Sequence, residues 1–251
     1  MTVNLYLFIS IVTGLIVGSF LNVCIYRIPR GESIVFPPSH CPKCGSRVAV
    51  RDLIPVFSYL FLKGRCRYCR ERISPLYPLV EVITGLLFAV MYIHFGPGAL
   101  LVKYIFLTAV LVVVTFIDLE FYLIPDRIVL FALIGGLPLN LIVRDLTIVS
   151  ALSGILSASG LLLILAIVSR GGMGGGDIKL AAVIGFYLGW PSGLFSVLLA
   201  CLLAGFLGMI LLMTRLKKRK DAIPFGPFIV VGTLITVFWG RGLIFWYLNK
   251  L

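Results

Sequence analysis

RGGMGGGDIKL, residues 170–180, decides how the chain is read, because it sets five glycines and a carboxylate, Asp177, between the apolar runs 151–169 and 180–190. Acidic residues at membrane depth are rare and read as functional by default. Glycines let a backbone approach a ligand closely. A second acidic cluster, FIDLEFYLIPD (residues 116–126), closes another apolar run. The two stretches predict that Asp118 and Asp177 meet on one side of a membrane.

The surrounding composition supports a bilayer setting. Of 251 residues, 60% are hydrophobic and 13% charged, with a mean hydropathy of +1.11; soluble domains carry roughly 25% charged residues. The chain reads as an all-α polytopic membrane protein with about eight spans, at 5–26, 76–95, 99–117, 127–143, 147–169, 178–190, 192–214 and 224–248. The sixth falls short of the roughly 20 residues a span needs. Domain organisation follows: 1–26 a first, retained transmembrane helix, 27–75 a separate loop domain, 76–251 a seven-helix membrane domain.

The net charge of +12 is a topology signal. Placing 27–75 in the cytoplasm puts 18 of the 22 Lys and Arg residues on that side, among them Arg127, Arg170, Lys179 and the run RLKKRK (residues 215–220). By the positive-inside rule both termini face outward. Anionic lipid headgroups, not nucleic acid, are the partner this charge implies. Arg27 and Arg30 mark the end of the first helix, in which Ser19 and Asn22 read as helix–helix hydrogen-bonding groups.

The 27–75 segment carries Cys41-Pro-Lys-Cys44 and Cys66-Arg-Tyr-Cys69, two CxxC pairs 21 residues apart. Two such pairs can close a tetrahedron of thiolates around zinc. A four-thiolate site has no open coordination position, so the metal is structural and supplies folding energy that a loop of this size cannot draw from a core. His40 reads as a surface neighbour of the site, and Cys24 and Cys201 as small apolar residues. Disulfides are disfavoured in the reducing cytoplasm.

Glu81 lies near the start of the second span, where a first-turn carboxylate suits the helix dipole; the alternative is an acidic group facing a cavity. Asp126, after Pro125, reads as the cap of the fourth helix. Asp177 has a comparable capping alternative on the sixth. Asp118 does not, because it continues an apolar helix toward its C-terminal end, where the dipole opposes negative charge. Two neighbouring carboxylates cannot easily both ionise, so a pair holds one proton. The ionised member can then deprotonate water while the protonated one donates to a scissile carbonyl. Proton relay in a coupled transporter and a non-enzymatic assembly scaffold are the competing uses.

GSFLNVCIYRIP, CPKC and CRYC, FIDLEFYLIPD and GMGGGDIKL, in that order along the chain, resemble the bacterial type IV prepilin leader peptidases, GxGD-type intramembrane aspartic proteases. The resemblance implies Asp118 and Asp177 as the catalytic pair and Cys41, Cys44, Cys66 and Cys69 as zinc ligands in a cytoplasmic domain. It implies two activities at the inner membrane: removal of the basic leader of prepilins and pseudopilins on the cytoplasmic face, and N-methylation of the new N-terminal residue with S-adenosylmethionine as donor. No glycine fingerprint of a soluble donor site is present. Glu81 is the candidate neighbour for the cationic donor, because a sulfonium favours a carboxylate or an aromatic ring. The pilin processed, whether one site or two serve the reactions, and the oligomeric state are not specified by these motifs.

Overall fold

The computed structural model of the protein describes residues 2–169, 172–216, 218 and 221–249. Arg170, Lys217, Arg219, Lys220 and Lys250 of the sequence reading lie outside these residues. The described residues form helices and loops with no strand, only two isolated β-bridges. The helices are α1 (Thr2–Arg27), α2 (Phe57–Phe61), α3 (Leu76–Phe95), α4 (Ala99–Phe121), α5 (Asp126–Val143), α6 (Ile148–Val168), α7 (Gly175–Leu188), α8 (Ser192–Met213) and α9 (Gly226–Leu248). Among the described residues, α1, α3, α4, α5, α6 and α8 are long and apolar enough to cross a membrane, and α9 contributes a shorter apolar stretch, Gly226–Gly240. The chain divides into two compact units, Met1–Val113 and Val114–Leu251, with α4 beginning in the first and ending in the second.

The first unit is built on α1 and α3. Ser10 Oγ donates to the Phe88 carbonyl at 2.9 Å, and Asn22 Nδ2 to that of Tyr77 at 3.0 Å. Between these, a Cβ on Gly14 would lie 2.7 Å from Gly85 Cα, and one on Gly18 2.8 Å from Glu81 Cα. The paired numbers fall on one helix as they rise on the other, so the two run antiparallel with backbones in contact. Small residues permit that approach, which polar groups then fix in register. Ser19 and Asn22 bond between helices as the sequence predicts.

The second unit is arranged around α7, which packs on α5, α6, α8 and α9. Fourteen residues rise about 21 Å, less than the ~30 Å of a hydrocarbon core. Residues on every side of α7 are buried, among them Leu180, Ala181, Val183, Ile184 and Tyr187. Tyr187 donates to the Ala132 carbonyl at 2.8 Å, tying α7 to α5. A Cβ on Gly193 would lie 2.8 Å from Gly185 Cα, so α8 touches the α7 backbone directly. Outward faces are apolar instead: Leu130, Ile134, Leu137 and Leu141 of α5 are all exposed. Apolar outside with polar groups inside is the distribution a bilayer solvent selects.

Candidate functional site

Asp118 sits in the last turn of α4, which runs on to Phe121 before Tyr122 turns the chain with φ +56. Its carboxylate is 5% exposed and accepts a hydrogen bond from the Gly226 backbone N–H at 2.8 Å. Gly226 opens α9, so the first free amide of that helix, at its positive dipole end, faces the carboxylate. Asp177 is 9% exposed and occupies the third position of α7, after the cap residue Gly174. Its carboxylate folds back to take a hydrogen bond from the Gly174 backbone, the reciprocal half of a capping box. The sequence alternative of Asp177 as the cap itself is thus off by three residues: Gly174 is the cap.

Asp118 and Asp177 lie within direct electrostatic reach of one another inside the second unit. The intervening loop holds them there. Ile124 is buried, and a Cβ on Gly176 would lie 3.0 Å from Ile124 Cβ, so the 122–125 turn rests on the start of α7. Asp126 begins α5 without capping it; it pairs with Lys179 Nζ at 2.7 Å. Because Pro125 already fills the cap position, the Asp126 side chain is free to bind α5 to α7. Three helix ends, of α4, α7 and α9, therefore converge on two buried carboxylates. Gly226 was not singled out by sequence reasoning, although proline beside it in PFGPF (residues 224–228) is a helix-start signal.

The four cysteines of the first unit come together. Their sulfurs all lie within 4.8 Å of one another, with Cys41 Sγ and Cys69 Sγ 3.8 Å apart. Four thiolates at about 2.3 Å from a zinc ion require sulfur–sulfur edges of about 3.8 Å, and no disulfide joins any of these cysteines. The two CxxC pairs lie in separate tight hairpins of the same form. Cys41 N–H donates to the Ser46 carbonyl at 2.9 Å and Gly45 N–H to that of Cys41 at 2.9 Å; the second copy repeats this with Cys66 to Glu71 at 2.8 Å and Arg70 to Cys66 at 3.0 Å. Gly45 takes φ +70 and its counterpart Arg70 φ +60. Hydrogen bonds from Ser46, hydroxyl and backbone, bring the Cys44 thiol down to about 6. Backbone N–H groups of Cys69 and Tyr68 lower that of Cys66. Amide donors aimed at sulfur favour the thiolate, the form that binds metal, at Cys44 and Cys66, whereas at Cys69 the Glu71 backbone bond is outweighed by desolvation and the neighbouring sulfurs, which push that thiol up. His40 is outside the cluster, its Nδ1 at 3.1 Å from the Pro38 carbonyl.

Between these hairpins and the ends of α1 and α3 lies a cavity of about 430 Å³, within the range of small-molecule sites. Glu81 and Arg27 both line it. Glu81 is in the second turn of α3 and 8% exposed, so the first-turn dipole reading does not apply. Its Oε2 accepts the Val56 N–H at 2.7 Å, and Ser19 also bonds it. Val56 takes φ +62, rare for a β-branched residue, and caps α2. Asp52 is held by the Arg67 guanidinium, with Nε to Oδ2 at 2.8 Å, which keeps its carboxyl below the usual range. Arg27, read from sequence as an interfacial anchor, is 5% exposed, its Nη1 donating to the Ser33 carbonyl at 2.9 Å.

Residues 12–95 match the family model described as bacterial peptidase A24 N-terminal domain, and residues 105–209 that of the type IV leader peptidase family. A prepilin leader peptidase/N-methyltransferase of Aeromonas hydrophila is 34% identical over 275 residues, spanning 98% of this chain and 95% of that protein. The protein of the same name from Bacillus subtilis is 36% identical over 245 residues, with coverage of 96% and 97%. That from Pectobacterium carotovorum is 37% identical over 249 residues, covering 88% of each. No solved structure matches the chain.

Proposed function

As the chain belongs to the type IV leader peptidase family, we propose that it cleaves the basic leader from prepilins or pseudopilins at the cytoplasmic face of the inner membrane and N-methylates the residue exposed. The observation that carries the peptidase half is the convergence of Asp118 and Asp177, both buried, with Asp118 close enough for its charge to act on Asp177. In this reading one carboxylate takes a proton from water as its oxygen attacks the scissile carbonyl carbon. The other gives its proton to the carbonyl oxygen. Collapse of the tetrahedral species breaks the C–N bond, and the amine leaves with a proton returned from the pair. The Gly226 amide holds Asp118 in orientation. The glycines before Asp177 leave backbone open to an extended peptide.

In the methylation half, Cys41, Cys44, Cys66 and Cys69 would hold zinc with all four positions filled, so its role is to fold the loop over the cavity. S-adenosylmethionine, when bound, supplies an electrophilic methyl group. The cavity is its proposed site, because it offers aromatic walls in Tyr26, Tyr59 and Tyr77 and a buried carboxylate in Glu81. The orientation follows from the sequence charge distribution, which puts 27–75 inside and both termini outside. Anionic headgroups face the basic loop.

The test is incubation of the purified full chain in lipid with a prepilin carrying a basic leader, followed by mass spectrometry of the product N-terminus. Cleavage with a 14 Da gain is the expected product. Asp118→Asn and Asp177→Asn should each lower the cleavage rate by at least about 10²-fold, the scale of general acid–base catalysis. Processing at the unaltered rate by either variant would refute the pair. Substrate-dependent proton flux without cleavage would favour the transporter reading instead.

A further inference from the structure

The cavity of the first unit holds two buried charges of opposite sign that do not meet. Arg27 uses Nη1 on the Ser33 carbonyl, while Nε and Nη2 have no protein partner among the described residues. Glu81 accepts from Val56 and Ser19 but faces no cation among the described residues. Elsewhere in the same cavity the opposite solution is used: Asp52 and Arg67 form a direct ion pair. A cation at the last turn of a helix suits the dipole, and that alone would leave Arg27 at the surface with its head in water. Its guanidinium is withdrawn instead. Burying a charge without a counter-charge is costly, so unpaired buried charges of both signs in one cavity signal a ligand that completes them.

We infer that Arg27 and Glu81 clamp the zwitterionic amino-acid end of the methyl donor, Arg27 binding its carboxylate and Glu81 its cationic side. This rests on the proposed methyltransferase reading. A guanidinium with two adjacent N–H donors in hand matches a carboxylate in fork geometry. Glu81 balances the ammonium and the nearby sulfonium. The tyrosines of the cavity are left for the adenine ring. Arg27 thus becomes a specificity residue, which tells an amino-acid-bearing nucleoside from one without that group.

Binding, not turnover, tests this. Calorimetry on the zinc-loaded full chain uses two inert probes, S-adenosylhomocysteine and methylthioadenosine, which share the nucleoside and thioether and differ by the amino-acid moiety. The unaltered protein should prefer S-adenosylhomocysteine. Arg27→Gln should weaken that ligand about 10- to 100-fold, the scale of charge-assisted hydrogen bonds, and methylthioadenosine less than about twofold. Equal weakening of both ligands, or of neither, overturns the assignment. Should Arg27→Gln lose its zinc, Arg27→Lys decides by the same ratio, since it keeps the charge and loses the fork. An unaltered protein that binds both probes equally overturns the role of Arg27 alone. One that binds neither and transfers no methyl group overturns the donor reading on which it rests.

Discussion

Replacing Gly226 with alanine puts a single methyl group against the proposed catalytic pair. A Cβ at this position would lie 2.8 Å from Asp118 Oδ2 and 3.2 Å from its Cγ, while ordinary contact begins at 3.4 Å. The carboxylate must therefore withdraw by about 0.6 Å, the difference between 3.4 and 2.8 Å. That stretches its 2.8 Å bond from the Gly226 amide beyond useful length. A hydrogen bond to a charged group is worth ~1.5–3 kcal/mol, and displacement on the 1 Å scale costs about 10²-fold in rate. The two estimates agree on a fall in kcat of about 10- to 100-fold with KM little changed. The backbone itself has no objection to alanine, because Gly226 is absent from the positive-φ residues and alanine is the better helix former. Gly205→Ala on α8, where a Cβ meets nothing within 4 Å, is the matched control. Initial rates of prepilin cleavage in reconstituted membranes decide the matter. If Gly226→Ala works within twofold of the unaltered protein, the amide does not position Asp118 for reaction.

The zinc loop gives two further expectations. Ser46 holds Cys44 at about 6, below the usual thiol value of 9.0, so the folded hairpin binds fewer protons than the unfolded chain between those values. Stability from this group is full above pH 9 and disappears as pH falls through about 6. Zinc and protons compete for the same thiolates, so metal analysis should find one zinc per chain at pH 8, and competition with a chromophoric chelator should show zinc affinity falling as pH is lowered; an affinity that does not change between pH 8 and pH 5 would contradict thiolate ligation. The two hairpins also differ at their left-handed residue, Gly45 in one and Arg70 in the other. A side chain in that conformation costs ~1 kcal/mol, so Gly45→Ala should weaken zinc about fivefold and Arg70→Gly strengthen it by a similar factor. Competition with a chelator measures both, and unchanged affinities would show that the turns do not bear on the metal.

The helical membrane fold was legible because its signal is local. An apolar run long enough to span a bilayer has the same meaning wherever its neighbours lie, and the eight runs of the sequence correspond to eight of the observed helices. Among the described residues, six of these meet the length and hydropathy of a span. The cysteine cluster was legible for a related reason: thiolates at CxxC spacing have few other ways to satisfy a metal. Capping was read less well. Asp126 pairs with Lys179 instead of capping α5, and Glu81 reaches across to Val56 instead of resting on its own helix dipole. Both side chains found partners more than 20 residues away, which no local rule could weigh.

Sequence by itself determined the kinds of chemistry available: a helical membrane chain, four thiolates for one metal, and two carboxylates placed where burial would make them useful. Tertiary structure alone decided who stands beside whom. The amide of Gly226 on Asp118 joins residues 108 positions apart, and Arg27 and Glu81 share a cavity although they come from different helices. A residue's type fixes what its side chain can donate, accept or carry as charge. Whether that capacity is met by a partner, or left open toward a ligand, depends on packing between segments the chain does not place side by side.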